Sequence, residues 1–239
     1  MRALPFFLLA AMTACSPFSG EPQAVTSDGV VVLSQCSDAG LACDTVADGV
    51  SRVAVTACVA NGVARPRADA SVTLTLSAGY WEASPTQGRT ISGTLTADGC
   101  LRPTFVAAAD SLTTRVDAEL LGFRASEEIA LSPAPLTNIE LTPQLPFRMA
   151  GPNVLNVRVR SGRGSPTRGT SVALTADANA PVAIYPQTTL VAPDGTASFN
   201  ILFTQTVQSV SLTATATPPA SDAGMAATTT RNVTVFLQP

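Results

Sequence analysis

The feature that most constrains this chain is an alternation of apolar and polar residues that occurs twice, 100 positions apart. Ser71 to Ser77 reads SVTLTLS, and Ser171 to Asp177 reads SVALTAD. The same offset sets Val55, Ala57 and Val59 opposite Leu155, Val157 and Val159, and Ala97-Asp98-Gly99 matches Pro193-Asp194-Gly195 at an offset of 96. A period of two places successive side chains on opposite faces of an extended chain, so each run predicts a half-buried β-strand. Self-similarity over so long a span predicts tandem domains of one fold.

In the second copy the pattern predicts strands near 138–142, 153–160, 170–177, 187–192, 196–204, 208–217 and 228–237. In the first copy they fall near 30–34, 52–60, 71–77, 89–96, 100–108, 113–121 and 126–131. Seven short strands per hundred residues predict an all-β sandwich. Phe199, Ile201 and Phe203 should face a core, with Ser198 and Asn200 outside. The Asp-Gly pairs at 98–99 and 194–195 lie between alternating runs, where glycine accepts the positive φ of a tight hairpin. Aromatics are 5% and charged residues 13% of the chain, and the regular alternation distinguishes it from a disordered stalk.

Met1 to Cys15, MRALPFFLLAAMTAC, has the layout of a secretory signal: Arg2, an apolar run from Ala3 to Met12, then small residues. The run is too short to span a bilayer. Met12-Thr13-Ala14-Cys15 resembles the lipobox of bacterial lipoproteins, which implies cleavage after residue 14 and lipidation of Cys15, palmitate being one acyl chain expected there. Met12 departs from the Leu, Val or Ile usual at its position. Cys15 to Ser27 is small, polar and proline-bearing, as suits a tether. Ser16, rather than Asp, fits onward transport to the outer membrane.

Charge composition excludes several function classes. The chain has no histidine and no lysine, and all 14 basic residues are arginine. Imidazole acid-base chemistry, the usual zinc and copper sites, Schiff bases and P-loops therefore lack their residues. Without residues 1–14, 225 residues remain with 13 arginines against 17 Asp and Glu, a net charge of −4. No basic field for nucleic acid exists. A non-enzymatic protein without cofactor or metal is expected.

Asp48-Gly49 before a Val-alternating strand, Asn61-Gly62 to Ala70 leading into SVTLTLS, and Ala97-Asp98-Gly99 resemble the bacterial Ig-like repeats of invasin and intimin type. The second copy matches through VLNVRVR, TSVALTAD, APDGTASFNILF and VQSVSLTATAT. The resemblance implies two immunoglobulin-like sandwiches, at 28–135 and 136–239, acting outside the cell as a stalk or cell-adhesion module. It brings no catalytic residues.

With Cys15 lipidated, Cys36, Cys43, Cys58 and Cys100 remain, an even number in an exported chain with three possible pairings. In an Ig-like topology the second and fifth strands are antiparallel neighbours, which brings Cys58 beside Cys100 and leaves Cys36 to pair with Cys43. Parity places the thiols of Cys58 and Cys100 on the outward face.

Two places are candidate ligand contacts. The loop Arg160 to Gly169, RSGRGSPTRG, presents Arg163 and Arg168, whose guanidinium forks suit a carboxylate or phosphate, although a plain connecting loop is the alternative. Tyr80-Trp81 is the one adjacent pair of large aromatics after residue 14, a platform for sugar stacking or a piece of the core. Glu127-Glu128 cannot converge as a glycosidase pair if they lie on one strand. Asp44 and Asp48 lack the Asp-x-Asp clustering of a calcium site. The expectation is an outer-membrane, surface-exposed or periplasmic Ig-like lipoprotein that contacts a surface protein or polysaccharide. A carbohydrate-binding accessory lipoprotein is the second reading, and a lipid-anchored hydrolase the third.

Overall fold

The computed structural model describes residues 30–34, 45–59, 70–120, 122–144, 146–149, 151–221 and 227–238. Among them there are strands and turns but no helix. The first unit holds β1 (Val30–Ser34), β2 (Val46–Ala47), β3 (Arg52–Val59), β4 (Ser71–Leu76), β5 (Tyr80–Trp81), β6 (Thr90–Thr94), β7 (Cys100–Leu101), β8 (Thr104–Val106), β9 (Thr113–Leu120), β10 (Phe123–Ala130) and β11 (Ser132–Pro133). The second holds β12 (Leu136–Pro143), β13 (Phe147–Arg148), β14 (Asn153–Ser161), β15 (Ser171–Ala176), β16 (Val182–Tyr185), β17 (Thr188–Leu190), β18 (Thr196–Phe203), β19 (Ser209–Thr217) and β20 (Thr229–Gln238).

Each unit is a sandwich of two antiparallel sheets, and the strand path is the same in both. The first unit pairs β1-β3-β8-β5, with β7 also on β3, against β10-β9-β4-β6. The second pairs β12-β14-β18-β16 against β13-β20-β19-β15-β17. In each, a short parallel pairing, β2 with β11 and β13 with β20, carries the first strand across to the opposite sheet. The predicted all-β architecture is present, and the predicted strand positions hold to within a few residues.

Alternation explains the cores. Val53, Val55 and Ala57 on β3, and Leu155, Val157 and Val159 on β14, are buried. So are Phe199, Ile201 and Phe203 on β18, while Ser198 and Asn200, which alternate with them, are exposed. Each unit closes its own cluster. Trp81 meets Phe105 edge-to-face at 5.9 Å in the first, and Phe147 meets Phe203 at 6.2 Å in the second. Such contacts add about 0.5–1.5 kcal/mol beyond area burial. The Asp-Gly turns are superimposable in their bonding: Gly99 (φ 78°) and Gly195 (φ 84°) donate to Thr96 O and Ala192 O. A Cβ on Gly195 would lie 2.6 Å from Val159 O, so the turn also needs the bare α-carbon.

Two details differ from the sequence expectation. The single strands expected at 89–96 and 187–192 are each preceded by another short strand, β5 and β16, on the opposite sheet. Strands of two and four residues are too short for alternation to register. The strand expected over 100–108 breaks into β7 and β8 around Pro103, which has no N–H to donate and instead accepts Val55 N at 2.9 Å.

Thr114 is fully buried on β9, and its hydroxyl has no hydrogen-bond partner among the described residues. Thr114→Val removes that orphan at nearly constant volume. It should raise stability by about 1 kcal/mol in chemical denaturation, the usual scale for a buried unsatisfied hydroxyl.

Candidate functional site

The predicted disulfide between Cys58 and Cys100 is formed, on directly opposed residues of β3 and β7. Val59 N donates to Gly99 O, so the cysteine pair next to it is a non-hydrogen-bonded one, and its α-carbons are only 4.1 Å apart. Both thiols lie on the face opposite buried Ala57 and outside the core cluster, but the bridge is largely covered: Cys100 is 8% exposed and Cys58 half-buried. Cys15, Cys36 and Cys43 lie outside the described residues.

Trp81 is not a ligand platform. Its side chain is fully buried, it packs on Phe105, and its Nε1 donates to Arg89 O at 2.9 Å, so no ring face is left for a sugar. Tyr80 is half-buried beside it. Glu127 and Glu128 are exposed on β10 opposite Val116 and Arg115, and they point to opposite faces as the strand reading requires. Asp48 is 2% exposed and serves as a turn cap. Its carboxylate accepts Val50 N at 2.9 Å, Ser51 N at 2.6 Å and Ser51 Oγ at 2.7 Å. Asp44 lies outside the described residues.

The loop that carries Arg163 and Arg168 has a different role from the one its arginines suggested. It is the second unit's side of the domain junction. Thr167, 2% exposed, donates from Oγ1 to Ala47 O at 2.6 Å and accepts Ala134 N at 2.7 Å. Ser165 N donates to Asp48 O at 2.8 Å, and Arg168 N to Ala109 O at 2.7 Å. A Cβ on Gly164 would sit 2.1 Å from Asp48 O, so only glycine permits this approach. From the loop before β20, Ser221 Oγ donates to Leu131 O at 2.8 Å. The guanidinium groups of Arg163 and Arg168 remain at the surface. Arg160, at the start of the loop, forks onto Glu140 at 3.0 and 3.2 Å.

Surface electrostatics are built from arginine and carboxylate. Asp98 is held well below the usual carboxylate range, first by the Arg102 side-chain hydrogen bond at 2.6 Å and then by the Thr96 hydroxyl. Arg160 lowers Glu140 in the same way, and the Thr196 hydroxyl and N–H lower Asp194. Depressed carboxylates favour the fold above their unfolded pKa and lose that contribution as the pH falls through the folded value. These groups are solvated, so the contributions are small. Among the described residues no group of three His, Cys, Asp or Glu side chains is placed to hold a metal ion.

Sequence reading missed Thr167, because a single threonine in a glycine-rich loop carries no pattern. It also missed exposed Phe236 on β20, although TTRNVTVFLQ places that ring on the same face as Thr230, Asn232 and Thr234.

No protein-family model matches the sequence, and no curated protein matches it. Solved structures do. The adhesin InvE of Yersinia pseudotuberculosis superimposes with a TM-score of 0.54 at 14% identity, over 81% of this chain and 56% of that one. Invasin, a bacterial integrin-binding protein, gives 0.54 at 20% identity, over 87% and 39%. A tetra-tandem repeat from the extending region of a large adhesion protein gives 0.53 at 14%, over 88% and 49%. At these identities the likeness establishes the fold alone: the units are Ig-like sandwiches, the fold these structures share. The chain spans between about two fifths and three fifths of those chains.

Thr167→Val keeps the shape of the junction residue and removes its hydroxyl. Ala47 O and Ala134 N then lose their partner at a buried site, a cost of about 1–3 kcal/mol. Faster hydrogen exchange at the Ala134 amide, with the β14 and β18 amides unchanged, is the expected result.

Proposed function

We propose that this chain is a non-enzymatic surface lipoprotein, with an export signal over 1–14, lipid on Cys15, a tether over 15–27 and two Ig-like domains at 28–135 and 136–239 that form a stiff spacer and interaction module. The observation that carries the reading is the junction. Only Ala134 and Pro135 separate β11 from β12, Ala134 is fully buried, and the 162–170 loop is bonded to main-chain groups of the first domain. Such a connection suits a spacer better than it suits two modules on a flexible linker.

Other features support the same reading. InvE is an adhesin, invasin is an integrin-binding protein, and the third neighbour belongs to the extending region of an adhesion protein. The missing histidine and lysine remove the commonest acid-base and nucleophilic machinery. A disulfide between β3 and β7 fits an oxidising compartment, and its 42-residue separation corresponds to about 4 kcal/mol in the chain-entropy model. Membrane attachment through Cys15 needs more than one acyl chain, since a single chain binds only marginally.

Two measurements test the proposal. Small-angle scattering of the 28–239 fragment should fit one fixed domain arrangement, and Gly164→Val should broaden it to an ensemble; a wild-type profile that already requires an ensemble removes the spacer reading. Cys15→Ala should abolish acyl labelling and either release the protein or block its maturation. A variant that is still processed and membrane-bound removes the lipoprotein reading.

A further inference from the structure

The two domains share one strand path, but the outer faces of their corresponding sheets differ in chemistry. On β9 and β10 of the first domain that face carries Arg115, Asp117, Glu119, Arg124 and Glu128. On β19, β20, β15 and β17 of the second, no outward position among the described residues is charged, and the one outward charge on this sheet is Arg148 of β13, at its edge beside Gln238. Every outward residue of β19, Ser209 to Thr217, is serine or threonine. The register continues these into cross-strand rows: Thr213 lies beside Asn232 and Thr175, and Thr215 beside Thr230. Phe236, 71% exposed, ends the array beside Ser209. Arg231 points to the opposite side, into a cleft with Asn138 and Glu140. With ordinary strand spacing the face is about 15 Å across and about 27 Å long.

We propose that this face binds a neutral polysaccharide, a reading that rests on the surface-display role above and specifies its ligand class. A hydroxyl both donates and accepts, which matches the dual character of sugar hydroxyls, and threonine methyls between them meet sugar C–H groups. Phe236 offers an exposed ring for the apolar face of a pyranose. A charged polymer finds one counter-charge, Arg148 at the edge, and none across the four strands that carry the hydroxyls. A protein partner is a poorer fit, because interfaces deplete serine and binding hot spots under-represent serine and threonine. A sheet face with a single charge at its edge is also a solubility liability that the first domain avoids.

The test is affinity electrophoresis of the full chain, purified in detergent, through gels containing amylose, dextran, a soluble β-1,3-glucan, glycol chitin or alginate. Retardation in at least one neutral gel and none in alginate is expected. Thr213→Glu with Thr230→Glu, at exposed or half-exposed positions, should abolish it with an unchanged melting temperature, and Phe236→Ala should weaken it by about tenfold, the scale of one lost ring contact. The inference is overturned by no retardation in any neutral gel, by equal retardation in alginate, or by retardation that survives the double substitution. It is likewise overturned if light scattering shows a dimer that the double substitution dissolves, which would make the face a self-association surface. The gel results leave the scattering profile and the Cys15 labelling unchanged, and a dimer is removed by measuring the scattering of the double variant, so failure here is distinguishable from failure of the spacer reading.

Discussion

The hydroxyl of Thr167 is the most deeply buried of the polar contacts that join the two sandwiches. It donates to Ala47 O and accepts from Ala134 N, so it satisfies one acceptor and one donor of the first domain with a group of the second. A buried main-chain group without a partner costs free energy comparable to a lost hydrogen bond. The junction therefore resists opening as long as it excludes water. Asp48 prepares the receiving side by tying down Val50 and Ser51, and Gly164 lets the loop approach Asp48 O closely. In the second domain Asn153 secures the corresponding crossover strand, bonding Arg148 N and O.

The cores obey a different rule. Each sandwich buries its own alternating set, and neither hydrophobic cluster runs into the other. Cohesion within a domain is apolar and non-directional, whereas cohesion between domains is polar and directional. The first supplies stability and the second supplies angle. The proposed spacer role needs both, since a stable domain on a loose joint transmits no orientation.

The two units share one strand path while their outward positions differ. Burial constrains inward residues on both copies, and a change of size or polarity there opens a cavity or strands a polar group. Outward residues are free of that constraint. One copy carries paired charges such as Arg115 with Asp117 and Arg124 with Glu119, and the other a surface of hydroxyls with one arginine, Arg148, at its edge. The contrast lies where function can change at little cost to the fold.

Much of this protein was determined by its sequence alone: two all-β domains, the strand positions, the inward faces of β3, β14 and β18, the Asp-Gly turns and the Cys58–Cys100 pairing. These follow from period-two alternation, from glycine's positive φ and from the neighbouring strands of one topology, all of which are local or repeated. Tertiary structure alone decided the fate of Trp81, the purpose of the Arg160–Gly169 loop and the existence of β5 and β16. Trp81 reads the same in sequence whether it caps an edge or fills a core, and its burial depends on Phe105 and Arg89 O arriving from other strands. The loop advertised its arginines, but its structural role rests on Thr167 and Gly164 meeting Ala47, Asp48 and Ala134. Contacts of that kind join residues up to 120 positions apart through main-chain atoms that every residue possesses, so no pattern of side chains could announce them.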